Sequence, residues 1–267
     1  MDVVSLGFRT DLALLQLGGT TLEDRGDHLV VRSPHNPGHW WGNFLLLAAA
    51  PAPEDAGRWV DRHAAAFPGA PHLALGFDGT SGTVADLSGF VGLGLVAEAQ
   101  TVMTAASVRY DGPHPEAECR RLTSDEDWQQ CVELQVRCNE REDPAVHRLY
   151  AEARARTQRG LVEDGHGGWF GAFVDGRLAC QMGLFAASPG LARFQSVQTD
   201  PAFRRRGNAR ALVQHVSRYG FEQLGASTLV MVADPEYFAL DLYRSVGFTA
   251  TESQLQVERL PPAPPST

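Results

Sequence analysis

The chain contains no lysine: all 23 of its basic residues are arginine. No ε-amine of the protein itself is therefore available as a catalytic group or an acetylation target. Positive charge is scarce as a whole. Formal net charge is −9 over 267 residues, with 6 Arg against 12 acidic residues in 1–115 and 17 against 20 in the remainder. Neither half has the basic field that nucleic-acid binding requires, so nucleic acid is not an expected partner. Cysteine is sparse too. Cys119, Cys131, Cys138 and Cys180 form no CxxC and no metal-ligand spacing with the nine histidines. Cys131 and Cys138, seven apart in a helical pattern, share a face and read as small core residues. No apolar run reaches ~18 residues and no signal-peptide pattern opens the chain, so the expectation is a cytoplasmic protein with reduced thiols and no membrane contact.

What is present is ordinary globular composition, 43% hydrophobic and 21% charged, on a chain long enough for one large domain or two without a disulfide or metal staple. In the first half, residues 7–17 predict a helix, His28–Arg32 a strand, Trp40–Ala50 an apolar run, Pro53–Phe67 a helix and Leu73–Phe77 a short buried strand. Thr83–Phe90 fits helix or strand, and Glu98–Val108 predicts a strand. No strand-to-helix junction in this half carries a Gly-rich loop, and the approach to the 53–67 helix, APAPEDAG, is acidic and repels phosphate. His35, His39, Trp40 and Trp41 cluster in sequence. They read as a loop whose aromatics pack on the neighbouring half, with a ligand or metal role as the alternative.

Residues 109–117, RYDGPHPEA, are rich in turn and breaker residues and mark a domain boundary. Beyond them Cys119–Leu122 predicts a strand, and Thr123 or Ser124 caps a helix with Asp125, Glu126 and Asp127 in its first turn. A second helix runs from about Ala145 to Val162. Trp169–Val174 and Leu178–Phe185 predict two strands around Asp175-Gly176, a strong hairpin signal, and Ala192–Thr199 a third. Helices follow at Asn208–Leu224 and Glu236–Val246, with strands at Thr228–Val232 and Phe248–Val257. The PPAPPST tail, 259–267 with its flank, has the composition of a disordered segment.

Between the strand ending at Thr199 and the helix opening at Asn208 sit Arg204, Arg205, Arg206 and Gly207. Unpaired N–H groups at a helix start, the positive end of its dipole and a glycine together suit a phosphate group. An Arg-rich turn on a solvated face is the plainer alternative for the arginines alone.

The order β-α-α-β-β-β-α-β-α-β after residue 117, with RxxGxA in RRRGNA and the helix-Tyr-Gly-Phe ending LYRSVGF at 242–248, resembles the GNAT superfamily of acetyl-CoA-dependent acyltransferases. The likeness covers about 118–258 and implies an α/β (α+β) fold: a mixed, mostly antiparallel central sheet flanked by helices. It implies that acetyl-CoA is the co-substrate, with its pyrophosphate on Arg204, Arg205, Arg206, Gly207, Asn208 and Ala209. It also implies that main-chain groups of Val197 and Thr199 meet the pantetheine and the thioester carbonyl, and that Tyr243 protonates the departing thiolate. The implied reaction is direct transfer of acetyl to a primary amine of a small molecule or peptide. A non-enzymatic acyl-CoA-binding module is the alternative. Two departures stand out: Glu236 occupies a position where many family members have Asn, and Phe194–Thr199 offers no carboxylate base. Glu140, Glu142 and Asp143, in a loop that borders the acceptor in this family, are candidate acceptor carboxylates or simply a solvated charge run. The first half, 1–108, resembles the degenerate first domain of tandem members, without an anion loop.

Overall fold

The computed structural model describes residues 1–109, 116–139, 143–235 and 239–259. The backbone forms two compact units. One is built on Met1–Met103 and is joined by the chain from Ala250 on; the other is built on Thr104–Met231 and is joined by the stretch ending at Thr249.

The first unit contains α1 (Leu6–Leu17), β1 (Thr21–Asp24), β2 (His28–Arg32), β3 (Phe44–Leu47), α2 (Ala56–Ala66), β4 (Leu73–Phe77), α3 (Ser88–Gly92) and β5 (Val96–Ala105). β3 and β4 are parallel, with α2 between them in sequence. Both are buried along their whole length, which accounts for their unbroken apolar runs FLLL and LALGF. One face packs on α2 through Trp59, Leu45, Leu75 and Phe77; the other packs on α1 through Phe8, Leu12, Phe44 and Leu46.

The second unit contains β6 (Glu118–Arg121), α4 (Asp125–Cys138), α5 (Pro144–Glu163), β7 (Gly167–Val174), β8 (Arg177–Ser188), β9 (Leu191–Thr199), α6 (Asn208–Glu222), β10 (Thr228–Ala233) and α7 (Ala239–Arg244). Its strands lie in the order β10-β9-β8-β7-β6, antiparallel from β9 to β6, with β10 parallel to β9. Ser124 caps α4 as expected, in a reciprocal capping box with Asp127. Asp175 and Gly176, at φ +49° and +76°, form the hairpin turn between β7 and β8. Alternation along the strands sorts the helices. Trp169 and Gln181 meet Trp128 and Cys131 of α4, whereas Phe170 meets His215 and Tyr219 of α6. Side chains one apart face opposite ways, so α4 and α6 cover opposite faces. Gly220 lets α6 approach closely, since a Cβ there would stand 2.7 Å from Leu184 and Leu229.

The last strand, β11 (Thr249–Arg259), pairs antiparallel with β4 and lies between β4 and β5, giving the first unit the order β1-β2-β3-β4-β11-β5. The sequence ends its second domain with this strand; the backbone places it in the first unit's sheet. Its apolar alternation specifies a buried face but not which strand it pairs with. The aromatic loop also differs from expectation. Trp40 stacks on His72 and Trp41 packs edge-on against Phe44, all within the first unit.

Candidate active site

The sheet is irregular where β9 carries its polar run QSVQT. Gln195 pairs with Gly183 and Gln198 with Gln181, so Ser196 and Val197 together oppose the single residue Met182. This is a bulge, and Ser196 takes φ +49° within it. The bulge brings Gln195, Ser196 and Gln198 to the α4/α5 face. Gln198 Oε1 accepts from Gln181 Nε2 at 2.9 Å, and Ser196 Oγ accepts from Arg154 Nη2 of α5 at 2.5 Å. On its other edge β9 pairs with β10 only through Leu191, Ala192 and Arg193, opposite Thr228, Leu229 and Val230. The pairing stops there, although β9 continues to Thr199 and β10 to Ala233. From Phe194 onward the two parallel strands part, and main-chain groups of Phe194–Thr199 on that edge have no partner in β10.

The parted strand leads into the arginine loop. Asp200 fixes its start: the carboxylate is 2% exposed and accepts from Ala202 N at 2.9 Å, Arg137 Nε at 2.8 Å and Arg177 Nη2 at 2.9 Å. Burial works to raise its pKa, but the amide and the two guanidiniums outweigh that and hold it below the usual carboxylate value. Pro201–Phe203 makes a short 3-10 turn. Arg205 then takes φ +62° and Gly207 φ +83°, and α6 begins at Asn208. Gly207 provides no side-chain cap, so the first-turn N–H groups of α6 face outward uncovered by it. Asn208 is buried and its Nδ2 donates to Phe203 O at 3.4 Å, which ties the helix start back to the turn. The arginine side chains divide. Arg206 stands over the Phe203 ring at 5.2 Å, Arg204 is half-buried and Arg205 is exposed. Ala209, expected on the core face of α6, is half-buried; the buried face runs through Ala211, Leu212, Val213, Val216 and Gly220.

Tyr243, on α7, is 5% exposed, with its ring centroid 6.3 Å from that of Phe248. Phe248 in turn lies 5.9 Å from Phe194 of β9, where the strands part. Gly247 closes the helix at φ +112°, and a Cβ there would come within 3.1 Å of Ser107 O. Val197 sits in the bulge. Thr199 pairs with Cys180, and its carbonyl accepts from Cys138 Sγ at 3.5 Å.

Of the expected acceptor carboxylates, Glu140 and Glu142 lie outside the described residues, as does Glu236. Asp143 is the N-cap of α5, accepting from Ala145 N at 2.9 Å and Val146 N at 3.3 Å. Three residues that the sequence did not assign to the site meet at the bulge: Arg154, Tyr150, whose hydroxyl accepts from Arg154 Nη1 at 2.8 Å, and Ser196. The available signal was an arginine in the row Tyr150-Arg154-Gln158, four apart beside the buried Ala151 and Ala155. The cysteines nearby are poor nucleophiles: burial pushes the thiols of Cys131 and Cys180 up to about 12.

In the first unit a cavity of about 410 Å³ lies beyond the ends of β3 and β4, lined by Ala49, Pro51, Asp78, Gly82, Asp86 and Leu255, among others. Its carboxylates are engaged by main-chain N–H groups, Asp78 with Val4 and Ser5, and Asp86 with Thr83. Among the described residues no group of three or more His, Cys, Asp or Glu side chains is arranged to hold a metal ion, and no helix is long and apolar enough to cross a membrane.

The parting strands, left-handed loop and helix start lie within residues 128–248, which match the sequence model of the Acetyltransferase (GNAT) family. Solved structures agree on the fold. A GCN5-related N-acetyltransferase from Kribbella flavida superposes with TM-score 0.62 at 14% identity, covering 97% of this chain and 98% of its own. A functionally unknown conserved protein from Staphylococcus epidermidis gives 0.68 at 11%, with 90% and 93% covered. A tandem GNAT protein from the clavulanic acid biosynthesis pathway gives 0.56 at 14%, with 94% and 88% covered. No curated protein matches the sequence. The fold is thus the mixed, mostly antiparallel α/β architecture shared with these solved structures, and residues 128–248 are similar to the GNAT family.

Proposed function

We propose that the protein is an N-acetyltransferase that moves acetyl from acetyl-CoA directly to a primary amine. The observation that carries this reading is the parting of β9 from β10 after Arg193, just before a loop with two left-handed residues that opens α6. An extended pantetheine arm needs such a gap between strands, where it can bond main-chain groups of Val197 and Thr199 as an added strand does. The pyrophosphate at its far end needs uncapped N–H groups at a helix start, here those of Arg205 to Ala209. The amine nitrogen attacks the thioester carbon, the C–N bond forms and the C–S bond breaks. Tyr243 gives its phenolic proton to the sulfur, whose basicity is similar, and the amine loses its proton to water. The high pKa values of Cys131 and Cys180 favour direct transfer over an acyl-cysteine relay. The four free cysteines fit a reducing compartment such as the cytoplasm.

The test is thiol release from acetyl-CoA across a panel of primary amines, with labelled acetyl-CoA incubated alone as control. Amine-dependent release with no label retained on denatured protein is the expected result, whereas retained label refutes direct transfer. The second reading is a non-enzymatic acyl-CoA-binding module, favoured by the lack of a carboxylate on Phe194–Thr199. Calorimetric binding of acetyl-CoA without turnover of any amine would establish it.

A further inference from the structure

Arg154 is treated differently from four other arginines of its unit. Arg137 on α4, Arg148 and Arg159 on α5, and Arg177 at the start of β8 each lie within 2.9 Å of a carboxylate oxygen. Arg154 is half-buried as well, yet among the described residues its guanidinium meets two neutral hydroxyls, Tyr150 at 2.8 Å and Ser196 at 2.5 Å, with the Tyr150 ring 6.0 Å away. A cation partly removed from water without a counter-charge is destabilised, and hydroxyl dipoles offset only part of that. A guanidinium carries five N–H donors, so two hydroxyl partners leave donors to spare. Two described acids of α4 and the start of α5 are engaged elsewhere: Glu133 is bidentate with Arg148, and Asp143 caps α5.

The position matters as much as the charge. Ser196 is the left-handed residue of the bulge, on the α4/α5 face shared by Gln195 and Gln198. The cation is therefore one hydrogen bond from the strand segment to which the acetyl-transfer reading assigns the thioester carbonyl. We infer that Arg154 receives a carboxylate of the acceptor, so that the acceptor is an amino acid or a derivative with its carboxylate free. The planar fork of the guanidinium matches a carboxylate, and the charge it supplies is the one its surroundings leave uncompensated. This inference rests on the acetyl-transfer reading and deepens it.

The experiment compares free amino acids with their methyl esters as acceptors for thiol release, in the wild type and in Arg154→Gln. At least one free amino acid should exceed its ester about 10-fold in kcat/KM. Arg154→Gln should raise KM for that acid roughly 10- to 100-fold, the range of a charge-assisted hydrogen bond, and change KM for the ester by less than about two-fold. Equal use of acid and ester by the wild type overturns the inference. So does an equal loss of kcat on both in the variant, which would mark Arg154 as a brace for the bulge. Acetyl-CoA affinity, measured by calorimetry on both proteins, separates the two levels: no binding by the wild type sinks the acetyl-transfer reading itself. Where acetyl-CoA binds but no amine turns over, thermal shifts with N-acetyl amino acids and their methyl esters in the presence of CoA decide. A shift that requires the free carboxylate and is lost in Arg154→Gln supports the inference, and no such shift overturns it.

Discussion

Each unit contains a strand, a helix and a parallel strand, and the two copies differ at the same place. In the first unit β3 and β4 stay paired to their ends, and Asp78 N donates to Leu47 O at 2.8 Å just beyond them. In the second, β9 and β10 part after three pairs. The approach to α2 has no left-handed residue and presents Pro53, Glu54 and Asp55; the approach to α6 has Arg205 and Gly207 left-handed among three arginines. The short helix after the second parallel strand carries buried Phe90 in the first unit and buried Tyr243 in the second. One supersecondary plan can thus be closed and acidic, or open and rich in arginine, through changes confined to a strand end, a loop and one hydroxyl.

The largest expected effect lies in the closed copy. His63 of α2 is held neutral, its pKa lowered to about 4 by burial and by His72 beside it. The unfolded chain takes up this proton near pH 6.5, whereas the folded chain does not until about pH 4. The stability is therefore fully present above pH 6.5 and is lost as pH falls toward 4, by up to ~3 kcal/mol. Urea midpoints of the wild type and His63→Phe between pH 7 and 4.5 should converge if this holds, and parallel curves would refute it. Next is Tyr243→Phe, which makes the open copy resemble the closed one in its hydroxyl. It should lower kcat roughly 100-fold while acetyl-CoA affinity stays within a few-fold, the scale of a general-acid contribution. An unchanged kcat removes the acid assignment. Gly207→Val places a β-branched residue at φ +83° and obstructs the approach of phosphates, so acetyl-CoA binding should weaken about 10-fold or more by calorimetry. Arg205→Ala should weaken it only a few-fold, because the exposed side chain contributes screened charge while the backbone geometry remains. If the alanine variant is the weaker binder of the two, the side chains rather than the N–H groups hold the anion.

Most of the fold was legible because its signals are local. Asp175-Gly176 demanded its hairpin, Ser124 and Asp127 wrote a capping box, and Gly207 sat where a left-handed residue opens a helix. What stayed hidden depends on partners remote in sequence. Thr21–Asp24 is polar and largely exposed, and becomes a strand only because β2 lies beside it. Ser196 gives no hint of a positive φ; the mismatch between β8 and β9 imposes it. Arg154 looked like one arginine of many, and only the absence of a carboxylate near its guanidinium among the described residues, visible in three dimensions, separates it from Arg148 and Arg159. Pairing of β11 with β4 has the same origin, since alternation within a strand does not name its neighbour.

That pairing also sets an order of synthesis. β4 and β5 leave the ribosome early, but the strand that lies between them follows only after β6 to β10 have been made. Until then the first unit's sheet is interrupted, with edges of β4 and β5 exposed to other chains. The second unit has all its strands sooner, so the part of the protein made first completes its structure last.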